Sequence, residues 1–270
     1  MCTQSNSKLR KARRVKDNEF YTQLADIEKE LEHYKDQFKG KVVYCNCDNA
    51  ESNFVKYFSF NFETLGLGGL VYTSDDFNSH LDLLEEADIV VTNPPYSLLS
   101  EFFALMYRHN KQFIIIGNAG AVAYKDIFPL IKENKLWLGY NTVRWFERPD
   151  GTLKEGAKSY WYTNITNGRY NEPITLTHTY TPELYPHYDN YDAIEVSKTA
   201  DIPMDYEGVM GVPISFLERY NPQQFEILDL NPYFYTMEKC DKPRQLTLQK
   251  CGRKDPYSRV LIKKVEAKTQ

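Results

Sequence analysis

From Leu24 to Phe38, the apolar positions Leu24, Ile27, Leu31 and Tyr34 recur at helical spacing, with carboxylates on the other face. That pattern predicts an amphipathic helix, which Gly40 stops. Lys41 to Asn46 (KVVYCN) then reads as a buried strand, and Ser52 to Leu65 as a helix carrying Phe54, Tyr57, Phe58 and Phe62. Gly69 to Thr73 predicts a second short strand and Leu81 to Glu86 a helical segment. The run Asp88 to Thr92 (DIVVT) predicts a strand, Leu98 to His109 a helix, Gln112 to Gly117 (QFIIIG) a strand and Lys125 to Glu133 a helix.

Each strand here is a short, nearly continuous apolar run, and strands alternate with helices. This is the pattern of a doubly wound α/β fold, a mostly parallel sheet covered on both faces. Ligands in such sheets bind beyond the carboxyl ends of the strands. The loops after Asn46, Thr73, Thr92 and Gly117 are therefore expected to share one edge, and the chemistry is expected there.

After about Trp137 the pattern changes. Ser159 to Ile165 (SYWYTNI) and Pro173 to Thr179 (PITLTHT) alternate as an antiparallel pair would. Beyond Tyr180, Pro, Tyr, Asp and Asn dominate and the strands are short: Val209 to Phe216, Phe225 to Leu230 and Ser258 to Lys263. Two regions follow from this, a sheet-bearing domain over residues 1–180 and a small C-terminal module over 181–270. Internal repeats and low-complexity segments are absent.

Composition narrows the class. A chain of 270 residues with 42% hydrophobic residues can bury a sizeable core. No apolar run is long enough to cross a bilayer, and the polar, basic start lacks the apolar stretch of a signal peptide, so a cytoplasmic protein is expected. The five cysteines, Cys2, Cys45, Cys47, Cys240 and Cys251, lack the paired spacing of a zinc site and are expected as reduced thiols, with no metal. A net charge of −4 does not favour nucleic-acid binding, yet a local basic face matters more than the sum. Lys8, Arg10, Lys11, Arg13, Arg14 and Lys16 form one such cluster, readable as a solvated tail or as an arm on phosphates.

The informative residues are Asn93, Pro94, Pro95 and Tyr96, directly after the strand DIVVT. Two consecutive prolines remove two backbone donors and end the strand. They hold the Asn side chain and the neighbouring carbonyls in a fixed, extended presentation. Those groups are acceptors, as a planar exocyclic amine requires. The alternative is a proline-rich turn with a packed tyrosine.

An Asn-Pro-Pro-Tyr tetrapeptide is similar to the motif of amino-group methyltransferases, among them enzymes that act on protein glutamine. Further segments narrow the likeness: Asp17 to Gln23 (DNEFYTQ), Val42 to Phe58, Asp88 to Ser97, Ile131 to Gly139 (IKENKLWLG) and Tyr188 to Phe216. Together, over most of the chain and in matching order, they resemble the EcoRI-type adenine-specific DNA methyltransferases.

That resemblance implies a Rossmann-like methyltransferase sheet, S-adenosylmethionine as cofactor and N6 of adenine in DNA as the methylated group. The partner implied is double-stranded DNA with the target adenine flipped out, and possession of a cognate restriction endonuclease acting on the same site is open. Asn93 to Tyr96 match the catalytic tetrapeptide, with Asn93 also at the cofactor. Phe20, Tyr21 and Thr22 match the segment that lies against the methionine part of the cofactor. Cys45, Asn46, Cys47 and Asp48 occupy the turn at its amino-acid end. Asp75, Asp76 and Phe77 stand where an acidic group contacts its ribose or adenine. The C-terminal module is where the target sequence would be read.

Three departures stand out. The turn at Asn46–Ala50 lacks a G-x-G, little chain separates the second strand from Asp88, and the stretch from Asn141 to Ser159 is compact. Plainer readings remain for individual residues. Phe20 and Tyr21 suit a core, Asp48 suits a helix cap, and Asp75 and Asp76 suit a turn. Arg144, Arg148, Lys154 and Lys158 fit either phosphate contacts or a solvated loop. The competing functions are transfer to an amine in RNA, at N4 of cytosine or on protein glutamine, and a catalytically dead relative that only binds DNA.

Overall fold

A computed structural model describes residues 21–74, 79–148, 150–166, 168–231, 246–253 and 256–265. The chain divides into two compact units, Met1–Ala119 with Gly139–Ile165, and Gly120–Leu138 with Thr166–Gln270.

The first unit is built on Tyr21–Thr22 (β1), Leu24–Leu31 (α1), Val42–Asn46 (β2), Asn53–Phe60 (α2), Phe62–Leu65 (α3), Gly69–Thr73 (β3), Leu81–Glu86 (α4), Ile89–Thr92 (β4), Leu99–Arg108 (α5), Gln112–Asn118 (β5), Trp137–Glu147 (β6) and Leu153–Thr163 (β7). These strands form one seven-stranded sheet in the order β1-β6-β7-β5-β4-β2-β3. Neighbours β3, β2, β4 and β5 run parallel, and β7 runs antiparallel to β5. The α/β sheet expected from the strand pattern, Rossmann-like by the resemblance, is thus present, with its parallel part over β3, β2, β4 and β5 and antiparallel strands added beyond β5. Ile89, Val90 and Val91 are all fully buried, as central parallel strands covered on both faces must be. Asp88 sets the level of β2 against β4: its Oδ2 accepts the Val42 N–H at 2.9 Å, which holds its carboxyl below the usual range.

Most elements up to Asn118 fall within a residue or two of their predicted bounds, but the single helix expected over Ser52–Leu65 is two, α2 and α3, broken at Asn61, and two further helices are shorter than expected. The α-helical part of Leu24–Phe38 ends at Leu31 and continues as a 3-10 turn, Glu32–Gln37. The helix predicted over Lys125–Glu133 is reduced to Phe128–Lys132 (α6).

The antiparallel pairing predicted after Trp137 needs correction. Pro173 to Thr179 is not a strand; its region makes only an isolated bridge, His178 to Pro203. The backbone of Ile174 is instead satisfied by the Gln224 side chain, which accepts from its N–H and donates to its carbonyl, both at 2.8 Å. The sheet neighbours of β7 are β5 and β6. Strand β6 escapes a sequence reading because Gly139, Asn141 and Thr142 interrupt its alternation. The compact stretch Asn141–Ser159 is the far part of the β6–β7 hairpin.

The second unit carries α6 and a four-stranded sheet of Ile194–Glu195 (β8), Met210–Pro213 (β9), Phe225–Asn231 (β10) and Arg259–Lys264 (β11), in the order β10-β11-β9-β8. A buried charge cluster organises it. Arg259 Nη2 donates to Glu195 Oε1 at 2.6 Å and its Nε to Oε2 at 3.0 Å, while the Tyr188 hydroxyl also donates to Glu195. Against a boundary after Tyr180, the first unit ends earlier, since Ile165 is the last residue packed in its core. Residues 120–138, which include the first two residues of β6, join the second unit, where Lys132 Nζ donates to the Leu228 carbonyl at 2.6 Å.

Candidate active site

Strand β2 has β3 on one side and β4 on the other, so the chain reverses its winding direction between β2 and β4. A crevice opens at the carboxyl ends of strands at such a point. The turn after β2 and the tetrapeptide after β4 meet here through Thr92. Its hydroxyl donates to the Asn46 carbonyl and lies 2.7 Å from Asp48 Oδ2. All three residues are buried.

Burial pushes the Asp48 carboxyl up to about 6, against hydrogen bonds from Thr92 and Ser52 that favour its ionised form. A threonine hydroxyl has one hydrogen, and the Asn46 carbonyl can only accept. Both Thr92 contacts are therefore satisfied at once when Asp48 holds its own proton and donates it to Thr92 Oγ1. Ser52 caps the next helix, accepting the Val55 N–H at 3.3 Å. The helix cap is thus Ser52, and Asp48 acts through Ser52 rather than as the cap.

The turn has no glycine, yet it takes the left-handed step that glycine favours. Cys47 has φ of 69°, a conformation that costs a non-glycine residue about 1–3 kcal/mol and clusters at functional sites. Cys45 is buried, and its thiol is pushed well up by burial and by Asp48.

In the tetrapeptide, Pro94 is buried and Pro95 exposed. The Pro95 carbonyl accepts the Leu98 N–H at 2.9 Å and closes a 3-10 turn. Asn93 is the informative residue: its Oδ1 is buried with no hydrogen-bond partner. An acceptor left so costs about 1–3 kcal/mol unless a ligand satisfies it. The Tyr96 hydroxyl lies 2.9 Å from Ser159 Oγ, and burial pushes it up to about 12, so the ring is tethered and neutral.

A second orphan sits on β1. Thr22 is buried and its Oγ1 has no partner, while its carbonyl accepts from Asn53 Nδ2 at 2.9 Å. Asn53 adjoins Ser52, so Thr22 connects through Asn53, Ser52, Asp48 and Thr92 to Asn93. The structure thus links Thr22, Asn46, Asp48 and Asn93 by hydrogen bonds and chain continuity. Tyr21 is half-buried on β1 beside Thr22. Phe20, Asp75, Asp76 and Phe77 lie outside the described residues. Sequence reasoning passed over Thr92, Asn53 and Ser159. Only Ser52 left a signal there, as the first residue of a predicted helix.

A winding reversal that carries an unsatisfied amide oxygen beside a tethered tyrosine gives this α/β sheet a candidate ligand site at its carboxyl edge. The family described as "Adenine-specific methyltransferase EcoRI" matches residues 8–81 and 73–265, and the chain belongs to that family. It is 37% identical to the type II methyltransferase M.EcoRI of Escherichia coli, over 96% of this chain and 97% of the relative. It is 36% identical to M.MgeORF184P of Mycoplasma genitalium, over 94% and 98%, and 37% identical to M.MpnI of Mycoplasma pneumoniae, over 83% and 86%. The two matched stretches share residues 73–81. The solved 23S rRNA methyltransferase ErmE, at 9% identity over 59% of this chain and 73% of that one, has a TM-score of 0.35, too low to carry any argument. Family membership makes this chain an enzyme, a methyltransferase of the adenine-specific class. Among the described residues no helix is long and apolar enough to cross a membrane.

Proposed function

We propose that the enzyme transfers a methyl group from S-adenosylmethionine to the N6 amine of adenine in a specific DNA sequence. The observation that carries this reading is the buried, unpartnered Oδ1 of Asn93 at the end of β4. The adenine amine is a poor nucleophile because its lone pair is delocalised into the ring. Asn93 Oδ1 and the Pro94 carbonyl accept its two N–H groups, which localises the lone pair and aims it. Tyr96, tethered by Ser159, stacks on the base, a contact worth roughly 1–3 kcal/mol. The adenine leaves the duplex to reach this pocket.

The residues present suit the cofactor. Tyr21, Thr22, Cys45, Asn46, Cys47, Asp48 and Asn93 would hold it, and the orphan Thr22 hydroxyl supplies a donor that has no use within the protein. An ionised Asp48 supplies a counter-charge for a cationic ligand. When bound, S-adenosylmethionine supplies an electrophilic methyl on a sulfonium. The protein's part is positioning and electrostatics, with no covalent intermediate on any side chain. The alkylated amine becomes acidic and sheds its own proton. Within the same reading, residues 181–270 read the target sequence, and a restriction endonuclease acting on the same site is the further partner proposed.

Transfer of labelled methyl to unmethylated genomic DNA, followed by nucleoside mass spectrometry, tests the proposal. Labelled N6-methyladenine is expected from the parent and nearly none from Asn93→Ala. N4-methylcytosine, or label only in RNA or protein, would overturn the substrate. Failure of the parent both to bind cofactor and to transfer methyl would overturn the catalytic reading.

A further inference from the structure

Strand β7 is paired with β5 only over Ser159–Thr163, with Ser159 opposite Asn118, where β5 ends. The six residues Leu153–Lys158 therefore run past the end of β5, paired on their other side with β6, at the edge where β2, β4 and β5 present their carboxyl ends. At 3.3 Å per residue the overhang spans about 20 Å. The alternation of buried and exposed positions breaks down there. Leu153, Lys154 and Glu155 are all exposed, and so are the consecutive Arg144 and Trp145 on β6. Val143 and Phe146 beside them stay buried in the core of the unit, so the ribbon is anchored there while these five side chains see solvent. Trp145 is 46% exposed and Leu153 54%, large apolar surfaces with no core to serve.

The base of this arm is part of the catalytic site. Ser159, where β7 leaves the sheet, holds the Tyr96 hydroxyl at 2.9 Å. The β6 side is flanked by β1, with Thr22 opposite Phe146 and Gln23 Nε2 donating to the Trp145 carbonyl at 2.9 Å. The arm carries four cations, Arg144, Arg148, Lys154 and Lys158, in a chain of net charge −4. Its three carboxylates are each engaged locally: Glu155 pairs with Arg144, Asp150 accepts from Thr152, and Glu147 accepts from Asn53.

We propose that the overhanging β6–β7 ribbon is a DNA-contacting arm that lies in the groove beside the target adenine. In it Arg148 and Lys154 meet phosphates and Trp145 packs against the bases. The proposal rests on the DNA substrate proposed above. A two-stranded ribbon fits the major groove, which is about 12 Å wide. The overhang, rooted at the residue that tethers Tyr96, places such a contact next to the flipped base. Loss of two phosphate contacts lowers the slope of log affinity against log salt by about 1.8.

The test uses the full-length enzyme and a duplex from DNA that the parent methylates, with the salt dependence of affinity as readout. Arg148→Ala/Lys154→Ala is expected to lower the slope by about 1.8 and weaken binding tenfold or more, with S-adenosylmethionine binding unchanged. Lys35→Ala/Lys39→Ala, an equal charge loss beside the start of β2, is expected to leave the slope as in the parent. Acrylamide quenching of tryptophan fluorescence should fall when the duplex binds, and that protection should vanish in Trp145→Phe. Parent-like slope and affinity in the arm variant would overturn the proposal. Protection of Trp145 that rises with protein concentration without DNA would also overturn it, in favour of a second copy of the chain. A parent that binds no DNA would instead sink the substrate reading, a distinguishable failure.

Discussion

Oε1 of Glu30 stands 2.1 Å from where a Cβ on Gly139 would lie, and the Cβ of Trp161 stands 2.6 Å from the same point. Glu30 is fully buried on α1 and accepts the Tyr140 N–H at 2.9 Å and the Asn141 N–H at 2.8 Å. Burial raises its carboxyl, partly offset by these bonds. The helix thus clamps β6 through one carboxylate, and Gly139 is required by the closeness of that approach. Gly139→Ala should cost about 1–3 kcal/mol by overpacking, read from urea unfolding. Because both side chains claim the same space, Gly139→Ala and Glu30→Ala should be markedly non-additive in a double-mutant cycle. Additive costs would show that the clamp does not set the spacing.

Asp48 gives the first unit a pH dependence of definite sign. Its carboxyl rises from 3.8 to about 6 on folding, so between those values the folded state holds the proton that the unfolded state has lost. Stability from this group is therefore full below about pH 4 and is lost as pH rises through 6. The shift of about two units sets a ceiling of about 3 kcal/mol. Asp48→Asn should match the parent near pH 4 and exceed it by up to about 3 kcal/mol at pH 7.5, measured by denaturation at both values. If S-adenosylmethionine meets the ionised carboxyl, it should raise the Tm of the variant less than that of the parent.

Thr92 ties the tetrapeptide strand to the turn after β2. Thr92→Val keeps the shape and deletes the hydroxyl, leaving the Asn46 carbonyl and Asp48 without that partner. The loss should be about 1–3 kcal/mol, larger at pH 8, where Asp48 is ionised, than at pH 5. As a positioning residue acting through Asn93, it should affect kcat more than the KM for DNA, and Thr92→Ser should restore both stability and rate. An unchanged kcat in a folded Thr92→Val enzyme would remove Thr92 from the site.

In the second unit, Glu195 is 4% exposed and held by Arg259 and Tyr188. Tyr188 also excludes any side chain at position 211, since a Cβ on Gly211 would lie 2.2 Å from its hydroxyl. Arg259→Met strands the buried carboxylate and should cost about 3–5 kcal/mol. Replacing the pair, Arg259→Met with Glu195→Leu, should recover much of that loss. Equal instability of the single and double variants, by thermal unfolding, would show that packing rather than charge holds this sheet.

How far local sequence reads through depends on where the determining contacts lie. Strands β2, β3, β4 and β5 are central and apolar, and α5 is amphipathic, so each is written in consecutive residues. The expectation of a site at their carboxyl ends followed from winding alone, and Asn93–Tyr96 stood out because two prolines in succession end a strand and fix the acceptors beside them. Strand β6 was invisible, because Gly139 answers to a carboxylate 109 positions earlier in the chain, Glu30, rather than to its neighbours. Pro173 to Thr179 misled for the reverse reason: it alternates like a strand, but the Gln224 side chain takes its backbone bonds.

The sequence by itself determined the parallel strands, the edge where a ligand site is expected and the strand-ending tetrapeptide Asn93–Tyr96. These depend on hydrophobic periodicity and backbone restriction, which act within a few residues. Only the tertiary structure decided that Asn93 Oδ1 lacks a partner, that Thr92 joins it to a carboxyl raised to about 6, and that the β6–β7 ribbon projects from that same edge. Burial, desolvation and strand register are properties of groups brought together from distant parts of the chain.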